Sequence, residues 1–117
     1  MTKEPEELRD LLQLQVSRLG YGHYLVLYWC AQGEGMSVKY NITNCFDDLK
    51  HCGVTRTKQT AVGVIETLHV LGYVDVKDER NRKNIYITRW GAKALQQLVL
   101  SNRYETKESL YLKEIQS

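Results

Sequence analysis

The stretch from Gly53 to Leu95 constrains the fold more than any other part of this 117-residue sequence. After an opening turn, apolar residues recur at helical spacing until Gly72, a residue type that often ends helices. Two alternating runs, YVDVK and IYIT, are typical of half-buried strands. The residues between them, DERNRKN, are polar, charged and rich in turn formers. This order predicts a helix, a β-hairpin with a basic tip, and a further helix capped by Thr88.

The remainder of the chain reads mainly as helix. An amphipathic helix is predicted over residues 5–19, and the nearly all-apolar run HYLVLYWCAQ predicts a buried second helix. The segment MSVKYN fits either a short strand or an irregular lead-in. A third helix is expected from Asn41 or Thr43 to about Cys52, with Thr43 as its N-cap. Residues 89–115 are predicted as a C-terminal helix whose core face uses Ala92, Leu95 and either Leu98 or Val99.

Composition places the chain among single-domain globular proteins. It is 43% apolar and 26% charged, and it holds three cysteines without a CxxC pattern, which fits a reducing compartment. No apolar run approaches the ~20 residues of a membrane span, and the N-terminus is too acidic for a secretory signal. We therefore expect a cytoplasmic protein of one domain, residues 1–117, without a membrane partner.

Positive charge is concentrated in one part of the sequence. The formal net charge is only +2, yet residues 54–89 carry seven basic and four acidic side chains, whereas residues 1–20 carry a net negative charge. The basic excess lies at the start of the fourth helix, which begins after Thr55 or Thr57, and at the hairpin tip. A phosphate backbone would attract that end of the molecule.

The motifs VIETLHVLGYVDV and KDERNRKNIYITRWGAKALQQL resemble the winged helix-turn-helix domain of MarR-type transcriptional regulators. PadR-like, ArsR-like and archaeal or viral winged-helix proteins share the same general pattern. The resemblance covers residues 42–98 and implies an α+β, mostly helical fold with a two-stranded β wing. It also implies that the helix before Gly72 is a recognition helix for double-stranded DNA.

The DNA-binding candidates fall in two groups. The start of the recognition helix can offer side chains to base edges and phosphates, and a glycine on its outward face would let the backbone approach DNA closely. Arginine and lysine at the hairpin tip suit phosphates or a narrow minor groove, with Asp78 expected to orient one arginine. The candidates are Arg56, Thr57, Lys58, Gln59, Thr60, Gly63, Arg80, Arg82 and Lys83. Each also has a simpler interpretation as a solvated surface residue or a helix cap.

Other chemistry is weakly supported. Cys45 and Cys52 lack a zinc-ligand spacing, so we expect no metal and no cofactor. The tyrosines and Trp29 of the second helix suit either a small-molecule effector pocket or core packing. No arrangement of nucleophile and base is present, and we expect no enzyme.

The expected function is sequence-specific binding of double-stranded DNA by a transcriptional regulator. A single recognition helix favours a homodimer that reads two half-sites, with the helices 5–19 and 89–115 as dimerisation extensions. Two alternatives remain open: a winged-helix adaptor for protein interactions, and a DNA-binding protein of plasmid or viral replication or partition.

Overall fold

The computed structural model describes residues 4–112, with side chains from Leu11 onward. This part of the chain is α+β and mostly helical, as the sequence predicts. Its elements in order are α1 Glu4–Ser17, α2 Tyr21–Gly35, β1 Tyr40–Asn41, α3 Ile42–His51, α4 Lys58–Val70, β2 Val74–Glu79, β3 Arg82–Ile87 and α5 Arg89–Ser101. Each helix within residues 4–112 is too short or too polar to cross a lipid bilayer.

Helix α2 forms the centre of the core, which confirms the prediction that this apolar run is buried. The side chains of Leu25, Val26, Leu27 and Trp29 have no solvent-exposed surface. Around α2 lie the apolar faces of the other helices and one face of the sheet. Their main contributions are Leu12, Val16, Cys45, Leu49, Ala61, Ile65, Leu68, Val74, Ile85, Ala94 and Leu98.

The sheet has three antiparallel strands in the order β1-β3-β2. β2 and β3 form a six-residue hairpin, paired from Val74 and Ile87 at its base to Glu79 and Arg82 near its tip. The segment MSVKYN, which the sequence left open, supplies the short strand β1, where Tyr40 pairs with Ile85. The hairpin therefore supplies the central strand and one edge of the sheet, and β1, the other edge, leads directly into α3.

The boundaries of α3 and α4 follow from local hydrogen bonding. Asn41, and not Thr43, caps α3, because its side chain accepts a hydrogen bond from the amide of Asn44 at 2.8 Å. Gly53 then ends α3 with a φ of +77°, a conformation that glycine adopts without steric cost. Thr57 is the N-cap of α4, which decides between Thr55 and Thr57, the two caps that the sequence suggested. The six residues 52–57 connect the two helices.

The C-terminal prediction is wrong in two respects. α5 ends at Ser101, where Asn102 takes a left-handed conformation, and residues 103–112 are not helical. The expected continuation through Ile115 lies partly outside the described residues. Within α5 the cap at Thr88 is confirmed, but Ala92 is exposed, and Gly91 and Ala94 are buried in its place. Leu98 is buried and Val99 is exposed, which decides between the two alternatives.

Candidate nucleic-acid interface

A surface groove lies between the start of α3, the exposed side of α4 and the hairpin tip. We call it the α3–α4–hairpin groove; its volume is about 640 Å³. β1–β3 pairing sets the distance between the hairpin and the start of α3, because Asn41 both pairs with Asn84 and caps α3. The groove is lined by Asn41, Ile42, Thr43, Asn44, Lys58, Val62, Asn81, Arg82 and Lys83.

The charge of this groove is uniformly positive. Lys58, Arg82 and Lys83 contribute three cations, and none of the lining residues is acidic. The polar remainder consists of one threonine hydroxyl and three asparagine amides, which donate and accept hydrogen bonds. A concave surface with cations and amide donors attracts an extended polyanion more strongly than a flat one does, because the cleft focuses the field.

The hairpin tip is a two-residue turn. Arg80 and Asn81 have positive φ values of 52° and 65°, as type I′ hairpin turns require. Both side chains extend from the tip, and those of Arg82 and Lys83 are exposed beside them. Glycine, asparagine and aspartate are the usual residues of such turns, so an arginine at the first position costs backbone energy.

Neither acidic side chain beside the tip, Asp78 or Glu79, forms one of the ion pairs found within residues 11–112 with a cation of the tip. Glu79 accepts hydrogen bonds from Asn84 at 2.7 Å and from the hydroxyl of Tyr86, and it forms an ion pair with Lys39. The hydrogen bond from Asn84, followed by that from Tyr86, lowers the pKa of the Glu79 carboxyl. The expected bond from Asp78 to an arginine is absent, since both ion pairs found within residues 11–112 involve lysines, Lys39 and Lys107.

The start of α4 presents polar side chains to solvent. All five predicted residues, 56–60, are exposed, and of these Lys58 lines the groove. The Thr57 hydroxyl accepts a hydrogen bond from the amide of Thr60 at 3.2 Å and lies 2.9 Å from its hydroxyl. The threonines therefore shape the helix start, while Arg56, Lys58 and Gln59 extend from it.

Gly63 lies on the exposed side of α4, one turn beyond Gln59. A Cβ atom built at this position would meet nothing within 4 Å. Close packing against another helix of the described chain, the simpler explanation for a glycine here, therefore does not apply. Gly63 borders a shallow depression that continues past Glu66 to Val70 and Leu71 at the far end of the helix.

The aromatic and cysteine residues that the sequence offered as other candidate sites serve in packing. Tyr104 stacks on Tyr21 and Tyr24 of α2, with ring centroids 5.5 Å apart in each pair. The non-helical residues after α5 therefore cover part of the surface on which a small-molecule effector pocket was considered. Burial raises the pKa of the Cys30 thiol and also that of the less buried Cys52 thiol. Within residues 11–112 no three histidine, cysteine or acidic side chains gather as metal ligands.

Sequence reasoning missed four polar residues of the groove, Asn41, Thr43, Asn44 and Asn81. The helix start at Asn41 was the available signal, since residues beside an N-cap face the same end of the helix. A scan against models of known protein families finds no match, and a search of curated proteins finds none either. Inference about function therefore depends on the geometry and charge described above.

Proposed function

We propose that this protein binds double-stranded DNA sequence-specifically through a winged helix, in which α3 and α4 are the helix-turn-helix and the β2–β3 hairpin is the wing. The main observation that supports this function is the α3–α4–hairpin groove, whose lining includes three cationic side chains and no carboxylate. The order of elements and the basic hairpin also match the MarR-type resemblance of the sequence. The biological role that fits is transcriptional regulation.

The shape of the groove suits the outside of a duplex. A major groove about 12 Å wide admits a helix, and one sugar-phosphate backbone separates it from the neighbouring minor groove. With the start of α4 in the major groove, that backbone would pass through the α3–α4–hairpin groove. Lys58, Arg82 and Lys83 would then bind phosphates, and Arg56, Gln59 and the Gly63 backbone would face base edges.

Arg80 supports this arrangement independently of the groove. Its φ of 52° places it where glycine or asparagine would be more stable, and it stands at the tip of the hairpin. A non-glycine residue in a left-handed turn persists when another interaction favours it. An arginine at the end of a protruding hairpin is suited to a narrow minor groove, whose negative potential attracts guanidinium groups.

The first test is selection from random duplexes, followed by titration of the selected duplex with salt. Specific binding should yield a defined site, and a homodimer should yield a palindromic one. The logarithm of the binding constant should fall linearly with the logarithm of salt concentration, at ~0.9 per phosphate contact. Recovery of random sequence with salt-insensitive binding would contradict the proposal.

Variants separate the two kinds of contact. Arg82→Ala should weaken all duplexes equally and reduce the salt slope by ~0.9. Arg80→Gly removes the tip cation while easing the turn, so affinity should fall without loss of stability. Gln59→Ala should relax preference at one base step by ~1–3 kcal/mol. Lys50→Ala is the matched control, because this exposed lysine at the end of α3 does not line the groove.

A protein-interaction adaptor is the second candidate, favoured by a separate surface. Leu11 and Leu14 of α1, Val70 of α4 and Trp90 of α5 are large apolar side chains between 46% and 85% exposed. The homodimer of the first proposal would use such a surface as well. If the arginine variants leave every partner interaction unchanged while Leu14→Glu abolishes association, the adaptor role is favoured.

A further inference from the structure

Residues 103–112, which we call the strap, run without helix or strand across α2 and onto α3. The Tyr104 hydroxyl donates to the carbonyl of Leu19 at 3.0 Å, and the Trp29 indole donates to the carbonyl of Lys107 at 2.8 Å. At its far end Leu112 is only 2% exposed and lies near Gly33. The strap is thus held along its length by contacts with residues far away in sequence.

The strap supplies two hydrogen bonds to a buried carboxylate on α3. Asp48 has no exposed surface, and its carboxylate accepts hydrogen bonds from the Ser109 hydroxyl and, at 2.7 Å, from the amide of Leu110. The third donor is the Tyr40 hydroxyl of β1. Neither ion pair found within residues 11–112 includes Asp48, so among these residues its charge is compensated by hydrogen bonds alone.

A buried charge is tolerated only while its partners stay in place. Removing one donor leaves the carboxylate under-compensated in a low-dielectric interior, which destabilises the arrangement strongly. When the strap leaves, Asp48 loses two of the three donors described here. The end of α3 that carries it would then turn toward water, or Tyr40 would have to move with it.

Residues next to Asp48 also contact the hairpin and the start of α3, the two elements that flank the candidate interface. Tyr40 pairs with Ile85 of the hairpin, and its neighbour Asn41 pairs with Asn84 and caps α3. The first turn of α3 contributes Thr43 and Asn44 to the α3–α4–hairpin groove. Through Tyr40, the short strand β1 therefore connects Asp48 to both walls of the groove.

We propose that Asp48 is a positioning residue of the interface, and that the strap holds the first turn of α3 against the hairpin by hydrogen-bonding the Asp48 carboxylate. The inference deepens the proposed function, on which it rests, by naming a control on the same site. The strap lies on α2 and α3 and does not line the groove, although its Tyr111 hydroxyl donates to Asp47 and reaches the side chain of Asn44. Its release consequently weakens DNA binding by loosening the groove, and does not uncover it.

The test uses the full chain with Ser109→Asp, which sets a second carboxylate against Asp48 and expels the strap. Amide hydrogen exchange measured by NMR gives two probes: Leu110 reports the strap, and Asn44, whose amide bonds the Asn41 cap, reports the start of α3. Both should exchange at least ~tenfold faster. Duplex affinity should fall in proportion to the fraction of molecules whose strap stays in place, so a loss of ~tenfold is expected if only about a tenth of them keep it. Ser109→Ala removes one donor without adding charge. It should raise the exchange rates of Leu110 and Asn44 and lower duplex affinity, each by a smaller factor than Ser109→Asp.

Two controls distinguish positioning from general stability. Val16→Ala trims a core side chain that is 6% exposed on α1 and lowers stability without touching Asp48, so duplex affinity should stay within ~twofold. Glu108→Gln removes a charge from an exposed strap residue and should change nothing. Fast Leu110 exchange with unchanged Asn44 exchange and unchanged affinity would overturn the proposal, as would a Ser109→Asp strap that stays protected.

The outcome also separates this inference from the function on which it rests. If the unmodified protein binds no duplex, the proposed function fails. The Asn44 amide then still shows whether the strap and the first turn of α3 are coupled. If duplexes bind and Asn44 does not respond to strap release, only the positioning role of Asp48 is wrong.

Discussion

Replacing Gly63 by alanine should change stability and DNA affinity in opposite directions. Gly63 lies inside α4, where glycine destabilises a helix by roughly 0.5–1 kcal/mol relative to alanine. A Cβ there would meet nothing within 4 Å, so no clash offsets the gain. For a domain of this size the melting temperature should rise by about 2–6 °C.

Affinity should fall because the space above Gly63 is proposed to be filled by DNA. A methyl group inserted into a close contact costs about 1–3 kcal/mol, which corresponds to a loss of affinity of about fivefold to 150-fold. Thermal unfolding by circular dichroism gives the first quantity, and fluorescence anisotropy with the selected duplex at fixed salt gives the second.

The matched control is Gly35→Ala at the end of α2. Its Cβ would also meet nothing within 4 Å, and it does not line the groove or border Gly63. This variant should leave duplex affinity unchanged. A Gly63→Ala protein that melts higher and binds duplex as tightly as before would place Gly63 outside the interface. A lower melting temperature would refute the assignment of open space around it.

Three further changes test the fold around this site. Gly91→Ala should lower the free energy of unfolding, measured in urea, by about 3 kcal/mol or more, since the added Cβ would lie 2.0 Å from the carbonyl oxygen of Tyr73. A smaller loss would mean that α5 shifts easily to make room for the methyl group. Burial lowers the pKa of His23, so below about pH 6.5 the unfolded chain binds more protons than the folded one, and the free energy of unfolding should fall as the pH drops. His23→Gln should reduce this dependence of the free energy of unfolding on pH. Cys52 should react with iodoacetamide before the buried Cys30, although more slowly than a free thiol, and equal rates would contradict their difference in burial.

The parts of the fold that the sequence predicted are those fixed by neighbouring residues. Thr88 accepts a hydrogen bond from the amide of Gly91 three residues later, so the start of α5 is a local matter. Gly72 ends α4 with a φ of +80°, and the amide of Tyr73 bonds the carbonyl of Leu68. Each of these signals lies within five residues, which is the range that patterns and caps describe.

The parts that failed depend on contacts between distant residues. The C-terminal segment contains leucines that would suit a helix, yet Trp29, Asp48 and Tyr24 hold it extended through partners 61 to 82 positions away. Asp48 itself could not be placed from its pattern, because a buried aspartate is exceptional unless donors surround it. The face of α5 was misassigned by one position, since Gly91, without a side chain, lies against Tyr73.

The sequence named three residues that line the groove, but it did not predict how they are arranged. Arg82, Lys83 and Lys58 were chosen from charge and position, but their convergence with Thr43 and Asn44 depends on β1, a strand of two residues. Pairing of so short a strand is a tertiary event that periodicity does not register. The groove is therefore a property of the folded chain, assembled from three segments that each resemble an ordinary polar surface.

The two ends of α4 differ in chemistry, and this difference bears on the proposed dimer. The start of α4 carries Lys58 and faces the groove, whereas its end carries Val70, which is 85% exposed. Leu71, next to Val70, also borders the apolar surface that contains Leu11 and Trp90. At 1.5 Å per residue, the 13 residues of α4 span about 18–20 Å. Two copies meeting at these apolar ends could place their reading ends up to about 40 Å apart, a range that includes the ~34–36 Å between half-sites one turn apart. A selected site whose half-sites are two turns apart would require a different contact between the copies, since α4 is too short to bridge that distance from its own end.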